Sequence, residues 1–178
     1  MSRIVTISGS PSPTSRTSLL ARHVGAKLAG EGFTIDPIEV RDLPAEDLLL
    51  ARPTAPALSA ALGLVEKAQG IVVATPIYKA AYSGILKAFL DLLPQFGLAG
   101  KVVLPLATGG SLAHVLAVDY ALRPMLSSMN PLHIVPGLFL AEAHLERKDG
   151  GLVIEAGMAK WLDQIVGDFV TAVRRAPL

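Results

Sequence analysis

The sequence predicts an α/β protein built on an open parallel sheet with helices on both faces. Short β-branched runs alternate with segments of helical apolar periodicity along the whole chain. The third predicted strand, Ile71–Thr75, is apolar throughout, which is typical of a strand covered on both faces. The 178 residues have the size of one domain and contain no linker, repeat or low-complexity segment. We therefore expect a single domain over residues 1–178.

Each predicted element follows from its local pattern. Gly30 and Gly32 end the first helix, and Pro94 ends the third. Pro37 places the second strand at a sheet edge, because proline cannot donate to a central ladder. The predicted strands are Ile4–Ile7, Phe33–Val40, Ile71–Thr75, Lys101–Thr108 and His133–Leu140. The predicted helices are Ser15 or Arg16 to Leu28, Ala57–Ala68, Ser83–Leu93, Ser111–Ser128 and Gly157–Arg175, with an irregular stretch over Asp42–Pro56.

Five strands separated by helices predict a five-stranded parallel sheet with right-handed crossovers. In the flavodoxin-like order 2-1-3-4-5, the strand order reverses between strands one and three. Ligands of such sheets lie beyond the carboxyl ends of the strands at that point. The loops that follow strands one, three and four are therefore expected to form the functional site.

The loop after strand one has the chemistry of a phosphate cradle. Residues 9–18 contain six hydroxyl side chains and Arg16, at the point where a helix begins. The alternative is a polar turn that only caps the helix, but capping needs fewer hydroxyls. Neither a G-x-G-x-x-G nor a P-loop motif is present, which argues against a dinucleotide fold and an NTPase. The candidate phosphate ligands are Ser10, Ser12, Ser15, Arg16, Thr17 and Ser18.

The loops after strands three and four have the chemistry of a ring platform. Pro76 stiffens the first of them, Ile77 and Tyr78 are suited to packing on a ring face, and Lys79 follows. An ordinary βα connection is the alternative. After strand four, two glycines allow the backbone to approach a ring edge closely. The candidate residues of this loop are Thr108, Gly109, Gly110, Ser111 and His114. A phosphate site beside a ring site indicates one ligand that spans both, and FMN fits.

The fourth predicted helix contains an internal proline. Pro124 cannot donate to the Tyr120 carbonyl four residues back, and its ring clashes with that carbonyl. We therefore expect a kink or a π-bulge near Tyr120. The sequence leaves open whether Tyr120 lies at an interface or at the edge of the site.

Composition excludes several classes of function. The net charge of +1 gives no electrostatic basis for binding nucleic acid or an anionic membrane. No apolar run is long enough to span a bilayer and no signal peptide is recognisable, so we expect a cytoplasmic protein. The absence of cysteine means that redox chemistry needs a borrowed cofactor, and the four histidines lack metal-ligand spacing. The 51% hydrophobic content indicates helix faces buried between subunits.

Several strings make the chain resemble a known family. They are Ala74–Gly84, Leu90–Pro94, Gly100–Gly110, Ala113-His114 and Leu116–Leu122, within a similarity over roughly residues 3–140. The chain resembles the NADPH-dependent FMN reductases of two-component alkanesulfonate monooxygenase systems. The resemblance implies FMN, NADPH, a flavin-dependent monooxygenase partner, a dimer or tetramer, and a π-helix at Tyr120. Relatives commonly carry an arginine where this chain has Ser12, which moves phosphate neutralisation toward Arg16.

The chemistry that follows is hydride transfer from NADPH to the flavin. The protein then supplies alignment, so we predict binding residues and no catalytic side chain. Two alternatives remain open at this point: a quinone, azo-dye or chromate reductase that retains FMN, and a flavodoxin-type electron carrier. A carrier is usually acidic for docking, so the net charge of +1 argues against the second.

Overall fold

The computed structural model describes residues 2–176. Its strands are β1 Arg3–Ser8, β2 Thr34–Glu39, β3 Gly70–Tyr78, β4 Ala81–Tyr82, β5 Val102–Gly109, β6 His133–Ile134, β7 Leu138–Ala141, β8 Leu145–Lys148 and β9 Gly151–Ile154. Its α-helices are α1 Arg16–Gly30, α2 Ala45–Leu49, α3 Pro56–Lys67, α4 Gly84–Leu90, α5 Arg123–Ser127 and α6 Ala156–Arg175.

The main sheet confirms the predicted parallel α/β order and is larger than predicted. Its strands run β2-β1-β3-β5-β6, and β7 also pairs with β5 in parallel. The predicted fifth strand is divided into β6 and β7 because Pro136 lies between them. A short antiparallel strand, β4, adds to the end of β3, so the sheet has seven strands and not the predicted five. Pro37 lies in β2 at the sheet edge, as predicted.

Alternation along the strands divides the core between the two faces of the sheet. In β1, Ile4 packs in the cluster formed with α1 and α6, whereas Val5 packs in the cluster formed with α3 and α4. Phe169 of α6 and Phe89 of α4 are the largest fully buried side chains of these two layers. Helices on both faces leave the carboxyl ends of the strands as the open edge of the sheet.

The segment predicted as one helix over residues 111–128, with a kink or π-bulge near Tyr120, is divided into three helical pieces. The segment consists of a 3₁₀ turn at Leu112–His114, a π-helix at Val118–Leu122, and α5. The Arg123 amide donates to the Val118 carbonyl five residues back. Pro124 explains the wide turn, because a regular α-helix would need a donor there. The predicted irregularity at Tyr120 is therefore confirmed.

One helix lies in a stretch that was predicted to be irregular, and one hairpin lies in a segment for which no structure was predicted. The stretch over Asp42–Pro56 contains α2, preceded by a 3₁₀ turn at Val40–Asp42. Strands β8 and β9 form an antiparallel hairpin whose two turn residues, Asp149 and Gly150, have φ of 49° and 77°. Among residues 2–176, no helix combines the length and apolar character that crossing a bilayer requires.

Candidate functional site

A cavity of about 410 Å³ lies at the carboxyl ends of β1, β3 and β5. That volume is in the range of small-molecule sites. The three predicted loops meet there, because parallel strands end at one edge of the sheet. The lining residues are Ser10, Ser12, Thr14, Ser15, Arg16, Thr17, Pro76, Ile77, Tyr78, Thr108, Gly109, Gly110, Glu142 and Arg147.

The loop between β1 and α1 presents donors to one side of this cavity. Ser15 caps α1, and its Oγ accepts the Ser18 amide at 3.2 Å. The Arg16 and Thr17 amides of the first helical turn have no intrahelical acceptor. Free first-turn amides, nearby hydroxyls and the positive end of the helix dipole together favour an anion at this position.

Side-chain hydrogen bonds fix the three loops relative to one another. The Thr17 and Thr108 hydroxyls are 2.6 Å apart, which joins the first loop to the end of β5. Ser83 donates from its Oγ to the Gly9 carbonyl, which joins the first loop to the start of α4. A Cβ at Gly9 would lie 2.6 Å from Leu86 Cβ, so only glycine permits this close approach. These contacts hold the anion side of the cavity against β5 and α4.

The opposite wall of the cavity suits a flat ring. Pro76 and Ile77 lie near the end of β3, and Tyr78, its last residue, is 51% exposed beside the cavity. Lys79 and Ala80 have φ of 50° and 63°, so β3 turns back into β4 through a two-residue turn of the kind that favours Asn-Gly. Apart from Gly110 itself and its two chain neighbours, no described residue has an atom within 4 Å of the position that a Cβ of Gly110 would occupy. The Gly110 backbone is therefore accessible to a ring edge.

Two charged side chains from residues 142–147, a segment distant in sequence from the first loop, complete the cavity. Arg16 donates from Nη1 to Glu142 Oε2 at 2.9 Å and from Nε to the Leu145 carbonyl at 3.0 Å. Arg147 donates from Nη1 to the Thr14 carbonyl at 2.9 Å. Sequence reasoning missed Glu142 and Arg147, and it counted the Thr14 hydroxyl in the loop without naming Thr14 among the candidate ligands. The Asp-Gly pair in the turn between β8 and β9 was a signal for the hairpin that carries Arg147.

Five of the residues predicted for the site do not line the cavity. The Ser18 hydroxyl is fully buried behind the loop, where it contacts Ser8 at 2.8 Å, Glu39 at 2.8 Å and Arg41 at 2.9 Å. Its hydrogen-bonding capacity is used within the protein. The other four lie in the turn after Tyr78 or along the segment after Gly110, and these are Lys79, Ser111, His114 and Tyr120.

The residues present fit FMN on two grounds. A rigid hydroxyl-lined loop at a helix N-terminus suits a phosphate, and an adjoining wall of proline, isoleucine, tyrosine and glycine backbone suits a ring. The carboxylate in the lining, Glu142, is paired with Arg16. The fold is that of flavodoxin-like proteins, with a cavity of mononucleotide size at the point where the strand order reverses.

Comparison with known proteins establishes the family. The chain belongs to the NADPH-dependent FMN reductase family, whose family model matches residues 2–145. It is 48% identical over 143 residues to an FMN reductase (NADPH) of Escherichia coli strain K12, covering 80% of this chain and 75% of that protein. It is 46% identical over 147 residues to an FMN reductase (NADPH) of Pseudomonas putida, covering 83% of this chain and 75% of that protein.

A solved structure agrees in fold and family. The crystal structure of an NADH:FMN oxidoreductase, EMOB, in its apo form aligns with a TM-score of 0.91 at 43% identity, covering 99% of this chain and 92% of that chain. The protein is therefore an NAD(P)H-dependent FMN reductase, with FMN as its flavin and NADPH as its hydride donor. The predicted enzyme class is confirmed, and the electron-carrier alternative is set aside.

Proposed function

We propose that FMN binds across the cavity, with its phosphate on the β1–α1 loop and its ring against Pro76–Tyr78 and Gly109–Gly110. The observation that carries this proposal is the 2.6 Å contact between Thr17 and Thr108, which holds the anion loop and the ring wall in one fixed geometry. When bound, FMN accepts a hydride from NADPH. The protein's own contribution is to bind, orient and partly enclose the reactants.

Each part of the cavity has a separate task in this proposal. The first-turn amides of α1 and the hydroxyls of Ser10, Ser12 and Thr17 bind the phosphate oxygens. The half-exposed Tyr78 ring would cover one edge of the bound flavin ring, and a face of that ring would stay open to the nicotinamide. No side chain is required to transfer a proton at the reacting atoms, which agrees with the absence of an unpaired acid in the lining.

We further propose that reduced FMN leaves the protein and supplies a flavin-dependent monooxygenase, in an alkanesulfonate system. The support is the resemblance of Ala74–Gly84 and Gly100–Gly110 to reductases of that system, together with the π-helix at Val118–Leu122. In this reading FMN is an exchangeable substrate and not a retained prosthetic group. A cytoplasmic location is part of the proposal, since FMN and NADPH are both supplied inside the cell.

Self-association is proposed on the segment from the 3₁₀ turn to the π-helix. Leu112, Val115, Leu116 and Tyr120 are exposed there, and the Tyr120 side chain reaches 80% exposure. Such a cluster of large apolar side chains is typical of an interface. Other large apolar side chains of α4 and of the π-helix are buried in the core and are not available to an interface, namely Leu86, Phe89, Leu90, Val118 and Leu122. We propose a dimer or tetramer formed through the exposed segment.

Steady-state oxidation of NADPH tests the function. The purified protein is expected to consume NADPH only when free FMN is added, with a rate that saturates in FMN. A protein that purifies yellow and reduces quinones or azo dyes without added FMN would contradict the exchangeable-substrate proposal. Adding the monooxygenase and its sulfonate checks the downstream step, and light scattering at micromolar concentration checks the oligomer.

A further inference from the structure

Four arginines surround the anion loop, and they differ in how their charge is balanced. Three of them pair with carboxylates: Arg16 with Glu142 at 2.9 Å, Arg22 with Glu39 at 3.4 Å, and Arg41 with Glu39 at 3.2 Å and with Asp42 at 3.5 Å, so three carboxylates balance these three arginines. Within residues 2–176, Arg147 makes no ion pair, and its contact with the loop is the hydrogen bond to the Thr14 carbonyl. The uncompensated positive charge at the loop is therefore that of Arg147.

Arg147 is held in position by a well-anchored hairpin. Its β8 strand begins at Leu145, which is buried in the core cluster with α6, and the Leu145 carbonyl accepts from Arg16 Nε at 3.0 Å. The other end of β8 enters the Asp149-Gly150 turn, whose residues both have the positive φ that a tight hairpin needs. The hairpin and the hydrogen bond to Thr14 therefore place the exposed guanidinium at the rim of the cavity.

We propose that Arg147 is the residue that provides the free positive charge for the flavin phosphate, and so makes the site prefer FMN over riboflavin. This inference rests on the proposed FMN site. Arg147 lines the same cavity as Ser10, Ser12 and Thr17, whose hydroxyls are the phosphate donors of that proposal. Glu142 balances Arg16 and places a negative charge in the same lining, so it opposes a phosphate dianion. Arg147 also lies outside residues 2–145, the segment that the family model matches.

The neighbouring residue provides a matched control. A second cavity of about 480 Å³ adjoins the first and shares Thr14, Ser15 and Arg147 with it. Lys148 lines only this second cavity, although it lies beside Arg147 on the same strand and has the same charge. Replacing either residue with glutamine removes one positive charge from the hairpin. Only Arg147→Gln removes it from the cavity proposed for FMN.

Fluorescence titrations of FMN and riboflavin test the inference on the intact protein. We expect Arg147→Gln to weaken FMN binding about tenfold and to change riboflavin binding less than about twofold. Glutamine keeps an unbranched polar side chain on β8, so the variant removes the charge without introducing bulk or an apolar group. Lys148→Gln is expected to leave both affinities within about twofold. Glu142→Gln is expected to tighten FMN binding, because it removes the opposing charge.

The salt dependence of binding gives an independent readout. Wild-type affinity for FMN is expected to fall as sodium chloride is raised, and Arg147→Gln is expected to flatten that dependence. Equal effects of Arg147→Gln and Lys148→Gln on FMN would overturn the inference. So would equal losses for FMN and riboflavin in Arg147→Gln. If FMN binding survives Arg147→Gln but is lost in Arg16→Ala, the proposed FMN site stands and only the role of Arg147 fails. If the wild type binds neither flavin, the proposed site itself fails.

Discussion

The hydroxyl pair between Thr17 and Thr108 connects the two halves of the site, and a double-mutant cycle measures that connection. Both side chains are buried, with 2% and 3% exposure, and the oxygens are 2.6 Å apart. Valine has the shape of threonine without the hydroxyl. Thr17→Val or Thr108→Val alone leaves one buried hydroxyl unsatisfied, which costs about 1–3 kcal/mol of unfolding free energy.

The double variant is the informative one. Removing both hydroxyls leaves no orphaned polar group, so the doubly substituted protein is expected to be at least as stable as either single variant. The coupling energy is expected to be about 1–2 kcal/mol. This is well above the deviation from additivity of roughly 0.5 kcal/mol that mutations at distant sites show. Urea denaturation followed by circular dichroism measures all four proteins, provided that the m-values agree. Ser128→Ala is the control, because the Ser128 hydroxyl donates to the Met125 carbonyl at 2.7 Å in an exposed position.

Additive losses in the double variant would refute this reasoning. They would mean that Thr17 and Thr108 act separately, and that the fixed geometry between anion loop and ring wall has another origin. If the coupling holds, FMN affinity is expected to fall in both single variants. Riboflavin affinity is expected to fall less in Thr17→Val, since Thr17 lies on the phosphate side of the cavity.

Three further predictions follow from other parts of the molecule. Arg16→Ala is expected to weaken FMN by about 1.5–3 kcal/mol with little effect on riboflavin in parallel titrations, and equal losses for both flavins would contradict the phosphate assignment. Deleting Tyr120 is expected to let the π-helix relax to a regular helix. The variant is expected to purify yellow and to accept electrons from NADPH, but to turn over free FMN poorly. A colourless variant with the turnover of the parent would mean that Tyr120 has only a packing role. Burial and the charge of Lys27 lower the pKa of His23 on α1 below its ordinary 6.5, and Asp163 opposes this shift with a smaller effect. The folded protein therefore has the lower His23 pKa, and between the two pKa values the unfolded chain binds more protons. Stability is therefore expected to be lost as the pH falls below 6.5 through that window, and His23→Gln is expected to flatten the pH dependence of the denaturation midpoint; an unchanged profile would count against it.

Most of the fold was predictable because local patterns and topology agree. The alternation of strand and helix signals, with Pro37 at an edge, predicts the parallel order that the sheet shows. The π-helix was predictable at Tyr120 because a single residue, Pro124, removes a required donor. That the chain forms one domain, and which residues bind FMN, stay predictions.

The parts that the sequence did not predict depend on distant contacts. Ser18 belongs by spacing to the hydroxyl-rich loop, yet Glu39 and Arg41 of a neighbouring segment take its hydroxyl. Arg147 and Thr14 are 133 residues apart along the chain, so no local sequence pattern connects them. Tertiary packing decides both cases, because the free energy of a buried hydroxyl or a paired charge depends on its partners.

A crystal structure of the FMN complex tests the central claim most directly. The account predicts the phosphate within hydrogen-bond distance of the β1–α1 loop and of the Arg147 guanidinium. It predicts the ring between the Pro76–Tyr78 and Gly109–Gly110 walls, with Ser18 outside the contact set. Density for FMN in the adjoining cavity lined by Arg22 and Lys148, or with the phosphate away from the N-terminus of α1, would contradict the account.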